Sequence, residues 1–206
     1  MKYKLLGLLL LAGLLLPAAT WAGTALPATP AWEFNTPGNN YTDGNWTFGE
    51  VFTANANIWV GYLGYYNQPG GMNDTHPVGI FDAAGNLLTS TVVTGGSPYS
   101  TANFLWNPVS PVELLAGDTY VIEGVSNSDL YTWNDPGFTV YSPITILGNN
   151  WILGNGLNFN GTGLINDVSD GYWGADFAPT PEPSSFLLLG SGLAALAGLV
   201  RRKMRI

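Results

Sequence analysis

Between Trp32 and Ala178 no run of about ten residues repeats apolar positions at helical spacing on good helix formers. Gly, Asn, Pro, Thr and aromatic residues dominate instead. Short β-prone runs take the place of helices, at 46–53, 58–66, 78–82, 87–93, 104–106, 113–115, 119–126, 130–133, 138–141, 145–147 and 172–177. Turn residues separate them, and that spacing predicts an all-β fold: a single antiparallel, jelly-roll-like β-sandwich over residues 33–177. About 145 residues suffice for one hydrophobic core. No repeat of roughly 20 to 50 residues is visible, which argues against propellers and solenoids.

Two hairpins are expected. Gly85-Asn86 reverses the chain after Val78-Gly79-Ile80-Phe81-Asp82, with Val78 and Ile80, then Leu88, Ser90 and Val92, on a two-residue period. Ala116-Gly117-Asp118 joins a second pair of strands. Beyond it Tyr120, Ile122 and Gly124 share one face, opposite Val121, Glu123 and Val125.

Charge narrows the functions open to such a sandwich. The 206 residues carry 14 Asp and Glu against 6 Lys and Arg, a net charge of −8. Every cation lies at an end: Lys2 and Lys4, then Arg201, Arg202, Lys203 and Arg205. Phosphate neutralisation needs cations, so the domain is not expected to bind nucleic acid. With no Cys, a disulfide scaffold, a thiolate metal site and a cysteine nucleophile are excluded. The 46% hydrophobic content is too high for a disordered acidic tail.

The two ends read as addresses. Lys2 and Lys4 precede an apolar run from Leu5 to Leu16, then Pro17 and small residues, the pattern of a secretory signal peptide over residues 1–22. Signal peptidase would cut between Ala22 and Gly23, leaving a Pro/Ala/Thr-rich, flexible lead-in at 23–32. Residues 178–183 read as a Pro-rich linker. An uncharged apolar stretch at 184–200 then just reaches the length of a membrane helix. The basic tail at 201–206 places that helix's C-terminus in the cytoplasm and the rest of the chain outside. Gly190, Ala194 and Gly198 form a small-residue stripe along it.

Pro181-Glu182-Pro183, followed by the apolar helix and by Arg201-Arg202-Lys203, resembles the PEP-CTERM sorting signal of Gram-negative bacteria. The resemblance implies that an exosortase, an integral membrane enzyme, recognises the tripeptide and cleaves near it. It also implies export through the inner membrane, a transient membrane anchor, and a final place at the cell surface or in the extracellular matrix. Two prolines hold the segment extended, so its backbone is open to a protease at the membrane face. The order His-x-Val-Gly-Ile-Phe-Asp-x-x-Gly-x-Leu-Leu (from His76), then Leu-Leu-Ala-Gly-Asp-Thr-Tyr-Val-Ile (from Leu114), resembles an uncharacterised extracellular β-sandwich module of bacterial surface proteins. That likeness spans roughly residues 46–140 and implies a fold without an activity.

Chemistry inside the domain is sparse. His76 is the sole His, so a histidine metal triad is impossible, and no Gly-x-Ser-x-Gly elbow occurs. Standing before Pro77 at a strand entry, His76 is read as structural, bonded to its neighbouring turn. Asn166-Asp167-Val168-Ser169-Asp170-Gly171 offers alternating oxygens, and with no cations nearby its acids need a partner. Asp167 and Asp170 are therefore the candidate ligands of a structural calcium, the competing reading being a solvated turn. Asn73-Asp74 is a second, weaker set of oxygens. Seven Trp in the exported part exceed what one sandwich core needs, so some are expected at the surface. Tyr131-Thr132-Trp133-Asn134-Asp135 is the candidate glycan-binding segment, with Tyr131 and Trp133 on one strand face and polar groups following. The function expected is thus a non-enzymatic, structural or adhesive surface or matrix protein with weak affinity for exopolysaccharide. The alternative is a carbohydrate-active enzyme using paired carboxylates, though no spacing among the acids singles out a pair.

Overall fold

Alternating apolar positions on residues that prefer extended backbone produce strands wherever the turn chemistry lets them pair. A computed structural model describes residues 29–34, 39–42, 44–133, 138–154, 156–164, 174–180 and 192. In chain order its strands are β1 (Trp32–Phe34), β2 (Asn39–Tyr41), β3 (Trp46–Ala54), β4 (Ile58–Tyr66), β5 (His76–Asp82) and β6 (Leu87–Val93). Then follow β7 (Tyr99–Thr101), β8 (Phe104–Leu114), β9 (Thr119–Val125), β10 (Tyr131–Trp133), β11 (Phe138–Val140), β12 (Ile144–Leu153) and β13 (Ala175–Pro179). A five-stranded sheet in the order β12-β3-β9-β5-β6 faces a four-stranded sheet in the order β13-β4-β8-β7. Two short ribbons, β1-β11 and β10-β2, complete the pairing, and every pair is antiparallel. The expected all-β antiparallel sandwich is what the chain forms.

The core lies between the two sheets. Phe52 of β3 stacks on Phe177 of β13 with ring centroids 5.2 Å apart, and Trp32 meets Phe177 edge-on at 5.9 Å. Val60, Leu63, Val78, Ile80, Phe104, Trp106 and Ile122 fill the rest. On β9 the alternation is as expected, since Tyr120 and Ile122 belong to this core. A Cβ at Gly124 would strike Ala175 and Tyr65 of the facing sheet, which places position 124 on the same inner face.

Several boundaries differ from the sequence reading, each for a local reason. The runs 104–106 and 113–115 are one strand, β8. Pro108 and Pro111 obscured the middle, which is tolerated because β4 shifts register opposite it between Val60 and Tyr62. The Ala116-Gly117-Asp118 element is not a hairpin, because β8 and β9 belong to different sheets. It crosses the sandwich instead, pinned to the end of β3 by Gly117 N donating to Ala54 O (2.7 Å) and Ala54 N to Asp118 O (3.0 Å).

The β5–β6 hairpin stands as expected. Gly85 has φ 88° and Asp82 accepts from Ala84 N and from Asn86 N and Nδ2. A register shift between Ile80 and Phe81 nevertheless reverses β6. Thr91 and Thr89 pair with the inward Val78 and Ile80, while Ser90 and Val92 are exposed.

At the termini, the lead-in is not loose throughout. Ala31 and Trp32 are fully buried, and Ala31 N donates to Phe177 O at 2.7 Å. Likewise the segment read as a linker begins inside β13, and Thr180 N donates to Trp59 O at 2.7 Å. The segment read as a signal peptide, the apolar stretch at 184–200 and the basic tail fall outside the described residues, apart from residue 192. No helix among the described residues is long and apolar enough to cross a membrane.

Because Phe52 couples the two sheets through a fully buried ring, Phe52→Ala is expected to destabilise the fold by about 3–5 kcal/mol. The urea midpoint at unchanged m-value measures it. A loss below about 1 kcal/mol would mean that the two sheets are not joined here.

Candidate functional site

The candidate glycan segment lies in the β10-β2 ribbon, where Tyr131 pairs with Tyr41, Thr132 with Asn40 and Trp133 with Asn39. Tyr131 is buried rather than presented, against Phe48 of β3 with ring centroids 4.5 Å apart. Trp133 is half-buried. The exposed ring is Tyr41, 37% accessible, stacked on Tyr131 at 6.0 Å and set edge-on to Trp133 at 5.6 Å. Tyr66 Oη donates to Asn40 Oδ1 at 2.8 Å and ties the ribbon to β4. Asn134 and Asp135 lie outside the described residues. Sequence reasoning missed Tyr41 because Asn39-Asn40-Tyr41 is too short and polar to show a strand period. The expectation of exposed tryptophans is corrected for the described ones. Trp32 and Trp106 are fully buried, and Trp46, Trp59, Trp133 and Trp151 half-buried.

A polar knot braces this ribbon from below. Asp129, four per cent exposed, accepts from Gln68 Nε2 (2.8 Å), Asn73 N (2.7 Å), Asn73 Nδ2 (3.1 Å) and Asp74 N (2.9 Å). His76 Nε2 lies 3.1 Å from its Oδ2. Burial pulls the Asp129 carboxyl upward, but these donors outweigh it and hold it below the usual carboxylate range. The other ring nitrogen of His76 is 2.8 Å from Val125 O. A carbonyl only accepts, so Nδ1 is the nitrogen that donates to Val125 O. His76 is fully buried and stacks on Tyr65 at 4.0 Å with planes 5° apart. It is structural, as expected, yet its partners are the end of β9 and Asp129 rather than its neighbouring turn. Asn73 and Asp74, the weaker calcium set, are consumed as loop staples: Asp74 Oδ2 accepts from both Ser128 N (3.1 Å) and Ser128 Oγ. Asp167 and Asp170 lie outside the described residues.

Three further carboxyl groups are fully or almost fully buried. Glu50 pairs with Ile122 and Glu123 with Gly49, so on adjacent strands the two glutamates leave opposite faces of the sheet. They cannot flank one scissile bond. Asp176 sits in the other sheet, where burial pushes its carboxyl well above the ordinary range despite donation from Phe177 N at 2.6 Å. Glu123 lies on the outer face between Gly49 and Gly79, under the segment that follows β12. Burial pushes its carboxyl up to about 8, against the opposing donation from Asn160 N.

Comparison with known proteins adds two matches. Residues 35–158 match the family described as Domain of unknown function (DUF4082), and residues 179–203 match the PEP-CTERM protein-sorting motif. No curated protein matches the chain. The sorting motif marks an exported bacterial protein, anchored at a membrane during sorting and processed by an exosortase.

Removing the acceptor at the centre of the knot strands four amide donors and takes away the partner of His76 Nε2, so Asp129→Ala is expected to cost about 3–5 kcal/mol. Since the folded-state pKa of Asp129 is lowered, the stability it contributes is complete above the ordinary carboxylate range and is lost as the pH falls through the lowered value. Urea midpoints at neutral and acid pH test this. The gap between wild type and Asp129→Ala should be wide at neutral pH and narrow in acid.

Proposed function

We propose, for a chain that belongs to the DUF4082 family by a match over more than half its length and ends in an exosortase signal, a structural or adhesive role with weak glycan binding. Its place is the cell surface or the exopolysaccharide matrix of a Gram-negative bacterium, and it is not an enzyme. The observation that carries this reading is the Tyr41 ring, exposed at one end of the sandwich and held by Tyr131 and Trp133. A sugar ring stacks its C–H face on such a surface, and a few polar groups placed beside it orient its hydroxyls. Tyr131 rests on Phe48, which rests on the sheet, so the platform is fixed before the ligand arrives and little ordering entropy opposes binding.

A carbohydrate-active enzyme with paired carboxylates is the second reading. The opposed directions of Glu50 and Glu123 disfavour it. Structural calcium near Asp167 and Asp170 remains part of the proposal as a support for the fold rather than as a reactant.

A glycan array probed with the exported protein, with and without calcium, is the test. Binding to acidic or neutral exopolysaccharide fragments should weaken about five- to tenfold in Tyr41→Ala and in Trp133→Ala, the worth of roughly 1–1.5 kcal/mol. Equal binding by wild type and both variants would remove the ribbon as the site. Release of new reducing ends in a parallel hydrolysis assay would favour the enzyme.

A further inference from the structure

Residues 156–161 cross the outer face of the five-stranded sheet as a strap. Thr47 Oγ1 donates to Gly156 O at 2.7 Å, and Asn150 Nδ2 to Gly161 O at 2.6 Å. Between those ends Leu157 reaches over Gly79, and Phe159 packs on Phe81 with ring centroids 5.6 Å apart. The centre is Asn160, whose N donates to Glu123 Oε1 (3.0 Å) and whose Nδ2 donates to both Glu123 Oε2 (2.9 Å) and Thr47 O (3.0 Å). The strap is thus fastened to a carboxyl group that has no accessible surface.

Around Glu123 two buried amide oxygens, Asn150 Oδ1 and Asn160 Oδ1, have no hydrogen-bond donor among the described residues. Asn160 Nδ2 and Asn150 Nδ2 each face carbonyl or carboxyl oxygens, which fixes the orientation of both amides. Asn150 Oδ1 is therefore turned inward, buried and without a hydrogen-bond partner among the described residues. It converges with Glu123 Oε2 over Gly49: a Cβ there would lie 2.8 Å from Glu123 Oε2 and overlap Asn150 Oδ1. Two acceptor oxygens brought together in a dry site repel unless a proton or a cation lies between them.

We propose that Glu123 is held as the neutral acid, its Oε2–H directed at Asn150 Oδ1, and that this proton is the latch that keeps the strap on the sheet. On deprotonation the proton passes to water, the Oε2 and Oδ1 oxygens become opposed acceptors around a buried charge, and the strap lifts to let water reach the carboxylate. No other titratable group faces Glu123 among the described residues. Its neighbours are Thr47 and Gly49 on β3, Gly79 on β5, Asn150 on β12 and Asn160 on the strap, while Glu50 leaves the opposite face. The folded state keeps a proton that an unfolded glutamate gives up near 4.5. Glu123's contribution to stability is accordingly full below that value and is lost as the pH rises toward about 8.

The test uses the exported protein over a pH series from about 4 to 10, spanning the two values. Carboxyl-carbon NMR follows Glu123, and hydrogen exchange, corrected for intrinsic rates, follows the strap amides. Protection of 156–161 should fall at least about tenfold with a midpoint that coincides with the Glu123 titration. Asn150→Ala should move that midpoint to lower pH. In Glu123→Gln, which has no proton to lose, the strap's protection should not vary with pH, whatever its level. An ionised Glu123 at pH 5 to 6, or strap protection unchanged across its titration, overturns the proposal. The series is repeated with calcium and with EDTA. A strap retained in base only when calcium is present means that an ion, not a proton, bridges the two oxygens, and this also overturns it.

Discussion

The described residues include no lysine or arginine, and that shortage dictates how the interior of this sandwich is wired. Burying an ionised carboxylate costs several kcal/mol unless charge or hydrogen bonds compensate. The chain meets the demand in distinct ways. Asp129 collects four amide donors and the sole histidine, and stays below the usual carboxylate range. Asp82, half-buried at a hairpin, is held low chiefly by its neighbour Asn86. Glu123 and Asp176 are driven the other way by burial. Asparagine does much of the work a cation does elsewhere, because its amide donates without bringing a charge that must itself be solvated.

The knot at Asp129 is also what gives the aromatic ribbon its footing. Gln68 bridges the loops after β4 and β9, giving Nε2 to Asp129 and accepting Leu130 N at Oε1 (2.7 Å). Leu130 leads directly into Tyr131, so the strand that carries the rings starts from a fixed point. From there the stack runs Phe48, Tyr131, Tyr41, out from the sheet to solvent. The surface that supports the proposed glycan contact is thus continuous with the buried electrostatics.

Much of the sandwich was legible because its long strands announce themselves. β3, β4 and β9 combine apolar alternation with β-branched and aromatic residues over seven to nine positions. The three-residue strands β1, β2 and β7 were not, since three residues carry no period and only tertiary pairing makes them strands. Pairing across sheets was also hidden. A short Gly turn reads as a hairpin, and only the two-sheet arrangement reveals Ala116-Gly117-Asp118 as a crossing. At the candidate site, Tyr131 and Trp133 were found by composition, but which ring faces solvent depends on β2, more than 80 residues earlier in the chain. His76 and Asp129 stand 53 residues apart, and no spacing rule joins them. Glu123 was placed on the correct face. Its strap was not foreseen, because the covering residues show no periodicity.

The seam at the end of β13 sets a mechanical condition on processing. The matched sorting motif begins at Pro179, the last residue of that strand, and Thr180 N is still bonded to Trp59 O. The Pro-Glu-Pro tripeptide therefore begins one peptide bond beyond a hydrogen-bonded sheet edge, with about 3.5 Å of reach per residue and no spacer to absorb a pull. Tugging on the tripeptide loads β13 directly, and β13 carries Phe177, whose ring meets Phe52 and Trp32 at the centre of the core. Peeling β13 from β4 would uncover Phe177 and the rings it meets, so one edge strand carries both the join to the sorting motif and part of the core.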